Sequence, residues 1–132
     1  MSNENVLVVD DEVRINSFIR ELLANAGYRA EAAISGEEAL AILRGSTSQS
    51  DKAFDLVLLD IMLPGMDGYQ VCRRLKRDTN TAHIPVIMLT VADSSEATVQ
   101  GLEVGADDYI PKDVWAIENL VTTLRAYLPL PK

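Results

Sequence analysis

The stretch FDLVLLDIMLPGMDG, residues 54–68, decides how the chain is read. It opens on Leu56-Val57-Leu58-Leu59, a continuous apolar run preceded by Asp55. A run of this length without polar alternation predicts a strand buried on both faces, as inside a parallel sheet. Asp60 ends the run. A carboxylate at that point faces the crevice where open α/β sheets bind their ligands. Pro64, Gly65 and Gly68 then force a loop before the next helix. By itself the stretch fits a plain strand end and turn equally well, so the rest of the chain has to decide.

At 132 residues the chain suits one compact domain with a real core and is too short for two. Its 24% charged and 48% apolar residues are those of an ordinary soluble globular protein. No apolar run approaches the ~18 residues of a membrane span. The opening MSNEN has no basic region followed by an apolar stretch, so no signal peptide is expected. Cys72 is the single cysteine and His83 the single histidine, so neither an internal disulfide nor a structural zinc site is expected. A reducing, cytoplasmic setting follows as the expectation. The net charge of −8 argues against DNA binding by this domain's whole surface, although an attached DNA-binding domain stays open.

In chain order, Asn5–Val9 is a second buried strand, ending in Asp10-Asp11-Glu12. Val13–Ala26 follows as a helix, with Ile15, Phe18, Ile19, Leu22, Leu23 and Ala26 at helical spacing and Gly27 placed to end it. Arg29–Ala33 is a weak strand candidate. Ser35-Gly36-Glu37-Glu38 is a capping-box sequence ahead of a short helix carrying Leu40 and Leu43. Gly45–Lys52 reads as a polar surface insertion. Asp67 and Gln70 form a capping pair for the next helix, whose buried face is Val71, Cys72 and Leu75. Arg73, Arg74, Lys76 and Arg77 read as a solvated face, and His83 as exposed. Val86–Thr90 is a strand opened by Pro85. Ser94–Val104 is a thin helix candidate weakened by Gly101. A short strand at Asp108–Ile110 leads to Pro111-Lys112-Asp113. Asp113 caps a last helix striped by Ile117, Leu120, Val121, Leu124 and Tyr127. Five strands alternating with five helices predict a three-layer α/β fold with a parallel sheet in the order 2-1-3-4-5.

In such a sheet the carboxyl ends of the strands share one edge. Asp10, Asp11, Asp60, Thr90 and Lys112 all fall there. Three carboxylates in one cleft repel one another, and a hard divalent cation with oxygen ligands relieves that cost; Mg²⁺ is the natural candidate. Beside an ammonium and a hydroxyl, such a site is what a transferring phosphoryl group requires, with Asp60 as nucleophile.

The segments VLVVDDE, VLLDIMLPGMDG, PVIMLT and GADDYIPK, each at a strand end, resemble the receiver domain of bacterial two-component response regulators over nearly the whole chain. The resemblance implies the flavodoxin-like (CheY-like) fold, with residues 1–128 as the receiver and 129–132 as a tail or the start of a linker. It also implies roles. Asp60 matches the phosphoacceptor. Asp11 matches a direct Mg²⁺ ligand, with Asp10 acting mainly through water and the Met62 main-chain carbonyl as a further ligand. Thr90 matches the switch hydroxyl, Lys112 the phosphate-binding lysine, and Tyr109 the aromatic that swings inward on activation. The implied partners are a histidine kinase or phosphotransfer protein, an output domain or effector, and a second copy docking through the last two helices, where Trp115 is a candidate contact. Neither direct nucleic-acid binding nor a membrane is implied. The protein is then a switch with at most slow self-dephosphorylation, not an enzyme. Two positions depart from the family pattern: Val91 stands where a small residue is usual, and Asp113 where proline, often preceded by a cis bond, is usual.

Three other readings fit these residues less well. A pseudo-receiver that binds partners without phosphorylation is opposed by the intact polar set. An FMN carrier of the same fold needs a Gly/Ser/Thr phosphate loop where this chain has Asp-Asp-Glu. A haloacid-dehalogenase-like phosphatase needs a second acid where this chain has Met62.

Overall fold

A computed structural model describes residues 4–46, 54–90 and 104–128. Its elements run β1 (Asn5–Val9), α1 (Val13–Asn25), β2 (Arg29–Ala33), α2 (Gly36–Ser46), β3 (Leu56–Asp60), α3 (Gly68–Arg77), β4 (Val86–Thr90), β5 (Asp108–Pro111), α4 (Val114–Glu118) and α5 (Leu120–Leu124). All strand pairs are parallel, in the order β2-β1-β3-β4-β5. This is the expected three-layer α/β architecture.

The layers follow from strand alternation. Val6, Val8, Leu56, Leu58, Ile87 and Leu89 face one side, where they pack with Ile19 and Leu23 of α1 and Leu120 and Leu124 of α5. Leu7, Val9, Val57, Leu59, Val86 and Met88 face the other, with Leu40 and Leu43 of α2 and Val71, Cys72 and Leu75 of α3. β1, β3 and β4 are buried at every position, which is why they read as unbroken apolar runs. β2, the edge strand, is half open, and its weak signal has the same cause.

Local signals hold well. Gly27 takes φ 96° just past α1. The Asp67–Gln70 capping box forms in both directions. The Ser35 hydroxyl accepts from Glu38 N at 3.1 Å, and Glu38 returns a bond to Ile34 N at 2.8 Å. Asp113 Oδ1 accepts from Ala116 N at 2.8 Å, capping the last helical segment as expected. Burial pushes the Cys72 thiol up to about 11, as befits a small core residue.

Four readings change. The last helix is interrupted at Asn119 (φ −101°, ψ 8°), where bonds of the tighter i→i+3 type replace the α-helical ladder. Its stripe survives, with Ile117, Leu120 and Leu124 buried. The buried face of α1 is Asn16, Ile19 and Leu23, while Phe18 remains exposed. α2 continues through Gly45 to Ser46. Lys76 leaves the solvated face, because its ammonium turns back to bond Ile84 O and Asp107. All but the last residue of the helix expected over Ser94–Val104, Val91, most of the polar insertion and the tail 129–132 lie outside the described residues. So does the Trp115 side chain.

Candidate functional site

The carboxyl edge of the sheet collects the residues that the sequence singled out. Asp60 closes β3 in register with Leu89, Asp10 follows β1 directly, and Thr90 closes β4. Asp10, Asp60 and Thr90 are buried, whereas Asp11 is exposed. Carboxylate oxygens of Asp10, Asp11 and Asp60 lie within 4.8 Å of one another.

The loops leave Asp60 little freedom. Its Oδ1 accepts from Met62 N at 3.1 Å. Gly68 N donates to Ile61 O at 3.0 Å, drawing the start of α3 tightly against β3. A Cβ on Gly68 would overlap the Asp60 carbonyl oxygen, so only glycine permits this approach. Asp10 Oδ1 accepts from Glu12 N at 2.9 Å.

Lys112 enters from the far side. Its main-chain N donates to Thr90 O at 2.6 Å, fixing the backbone as β5 ends. Its Nζ lies 3.0 Å from Asp10 Oδ2, 2.9 Å from Glu12 Oε1 and 3.2 Å from Asp60 Oδ2. The Lys112 side chain is 2% exposed. Asp113 does not disturb this placement, since the peptide bond before it is trans. Tyr109, on β5, is half-buried against the core on the α2/α3 side.

The charge balance is unequal. Burial and the neighbouring Asp10 charge raise the Asp60 carboxyl to about 6, against the opposing pull of Lys112 and the Met62 amide. Burial works against the Lys112 charge, yet Glu12, Asp10 and Asp60 outweigh it and hold the ammonium above its ordinary range. Asp10 Oδ2 is buried and meets the Lys112 ammonium at 3.0 Å. An all-oxygen donor set of three carboxylates, with Glu12 beside them and one ammonium to balance them, fits a hard divalent cation such as Mg²⁺. Among the described residues, the side chains of Asp10, Asp11 and Asp60 are placed to hold it.

A family profile described as "Response regulator receiver domain" matches residues 6–125. The chain belongs to the response regulator receiver family. It is 44% identical over 128 residues to the "Phosphate regulon transcriptional regulatory protein PhoB" of Pseudomonas aeruginosa, covering 97% of this chain and 53% of that protein. It is 37% identical to the "DNA-binding dual master transcriptional regulator RpaA" of a Synechocystis strain, covering 93% and 48%. The chain therefore spans about half the length of the curated relatives it matches. Among solved structures, the chemotaxis protein CheY4 of Vibrio cholerae superposes with a TM-score of 0.83 at 31% identity, over 96% of this chain and 100% of that one. The response regulator DrrB of Thermotoga maritima gives 0.78 at 32%, over 95% and 52%.

In this receiver Asp10, Asp11, Asp60 and Lys112 come together at the strand ends, with Thr90 closing the neighbouring strand and Tyr109 packed against the core. Sequence reading assigned no part to two others. Glu12, the third acid of its run, reaches Lys112. Asn16 sits at a position where helical spacing places the core, and that misplacement of a polar residue was the signal available.

Proposed function

We propose that this receiver takes a phosphoryl group onto Asp60 from a phosphohistidine of a histidine kinase or phosphotransfer protein, in a Mg²⁺-dependent reaction. The observation that carries the reading is the buried Asp60 carboxylate, which shares the Lys112 ammonium with Asp10. Asp10, Asp11, Asp60 and the Met62 carbonyl would hold Mg²⁺, which when bound neutralises charge on the phosphoryl oxygens. An Asp60 oxygen attacks phosphorus, the P–N bond breaks, and the departing imidazole keeps the electron pair and takes up a proton. Lys112 exchanges a carboxylate contact for a phosphoryl oxygen, and the Thr90 hydroxyl turns toward the same group.

The new bonds of Thr90 and an inward move of Tyr109 then bias a two-state equilibrium of the surface built from the helix expected over Ser94–Val104, the strand β5 and the helical stretch α4–α5. That surface is read by an output domain, an effector or a second copy of the chain. Two relatives carry "transcriptional" in their names and about twice this length, which supports an output domain on the whole protein. Residues 1–128 would be the receiver unit, with 129–132 leading out of it. Among the described residues no helix is long and apolar enough to cross a membrane, in keeping with a cytoplasmic switch. Its activity is that of a phosphoacceptor, not an enzyme.

The test is intact mass after incubation with acetyl phosphate and Mg²⁺. One phosphate adduct is expected, absent without Mg²⁺ and absent in Asp60→Asn. If wild type, and a Val91→Ala variant that restores the small residue usual at that position, both stay unmodified, the phosphoacceptor reading falls in favour of a phosphorylation-independent binding module.

A further inference from the structure

Asn16 is 2% exposed, an unusual place for an amide in the middle of a core-facing stripe. Its Nδ2 lies 3.1 Å from Val8 O, 3.1 Å from Asp10 O and 3.3 Å from Ala33 O. Two N–H protons are thus shared among three carbonyls at the ends of β1 and β2. Its Oδ1 accepts from Arg20 Nε at 2.8 Å, one helical turn on. That bond dictates the orientation of the amide. A flipped Asn16 would set its oxygen against three carbonyl oxygens and its N–H against a guanidinium.

The contact with Asp10 O matters for more than packing. That carbonyl belongs to the peptide joining Asp10 to Asp11, two of the three clustered acids. The preceding peptide is already held by Asp10 N donating to Ala33 O at 3.0 Å, and the ladder between β1 and β2 is complete from Asn5 to Val9 without Asn16. The amide acts just where the ladder stops and the acidic turn begins. The Asp10–Asp11 peptide plane sets the direction in which both carboxylates leave the backbone.

We infer that Asn16, oriented by Arg20, is a positioning residue that presets the Asp10–Asp11 pair for divalent-cation capture. This rests on the Mg²⁺-dependent reading above. Groups that orient metal ligands typically contribute about 10–100-fold to metal affinity.

The experiment is calorimetric titration of the whole chain with Mg²⁺, on wild type, Asn16→Ala and Arg20→Met, with urea unfolding alongside. Asn16→Ala is expected to bind Mg²⁺ about tenfold more weakly. Arg20→Met, which keeps the donor and frees its orientation, shifts affinity the same way by a smaller factor. In acetyl phosphate labelling, the half-saturating Mg²⁺ concentration rises with the dissociation constant, and the deficit closes as Mg²⁺ is raised. A residue that only braced the fold would lower the urea midpoint and leave Mg²⁺ affinity untouched, and that result in a folded Asn16→Ala overturns the inference. Should Asn16→Ala not fold, Arg20→Met decides by the same criterion. A wild type that binds no Mg²⁺ removes the reading of the site, and this inference with it; variants matching a wild type that does bind remove the positioning role alone.

Discussion

The sheet carries a lysine–aspartate cluster at each end, and the two are built to opposite charge balances. At the amino edge, Lys76 Nζ bonds Asp107 Oδ2 at 3.0 Å and Ile84 O at 2.8 Å, and the same Asp107 oxygen accepts from Val86 N at 2.8 Å. One cation meets one anion, with main-chain groups completing both. At the carboxyl edge, Lys112 faces Asp10, Asp60 and Glu12 together, with Asp11 beside them. The first cluster is a clasp tying α3 to the start of β4 and β5. The second is over-charged and raises the Asp60 carboxyl. A balanced, half-open cluster holds a fold together, whereas an unbalanced buried one favours a further cation.

The comparison breaks most visibly at the lysines. In metal-free buffer, Lys112→Met strands Asp10 and Asp60 without a counter-charge and should destabilise the domain by about 3–5 kcal/mol in urea unfolding. Lys76→Met strands carbonyls and a partly exposed carboxylate, so about 1–3 kcal/mol is expected, with phosphoryl uptake retained. Equal losses would mean that the two edges do not differ in their need for a cation.

Neutralising an acid should have opposite signs at the two edges. The folded Asp60 carboxyl sits at about 6, above its unfolded value near 4, so the native state binds more protons between those pH values. Metal-free stability then falls as pH rises from about 4 to about 6, by up to about 3 kcal/mol from this group, and levels off above. Asp60→Asn removes that portion of the slope and should be more stable than wild type at pH 7. A variant less stable than wild type at pH 7 would contradict the over-charged reading. Asp107→Asn, by contrast, should lose stability, and only about 0.5–1 kcal/mol, because Asp107 is 37% exposed.

Much of this was legible because it depends on local or periodic signals. Strands buried on both faces announce themselves as apolar runs, and turns place Asp10, Asp60 and Thr90 at the strand ends. Asn16 and Glu12 escaped for the opposite reason. Helical spacing marks a core position but does not say that an amide there will meet the carbonyls of two strands. Nothing near Glu12 announces Lys112, one hundred residues along the chain. Lys76 was misplaced likewise, since its partner Asp107 comes from across the fold.

The amino-acid sequence by itself determined the types of the described strands and most of the described helices, which are written in spacing along the chain; the rules of α/β winding supplied the parallel order, and motifs that resemble the receiver family supplied the polar set. Which charges share one cation, how far burial lifts the Asp60 carboxyl, and which amide sets the acidic turn were decided only by the tertiary structure. Those quantities depend on distances and desolvation between residues far apart in the chain, and only the closed sheet creates them.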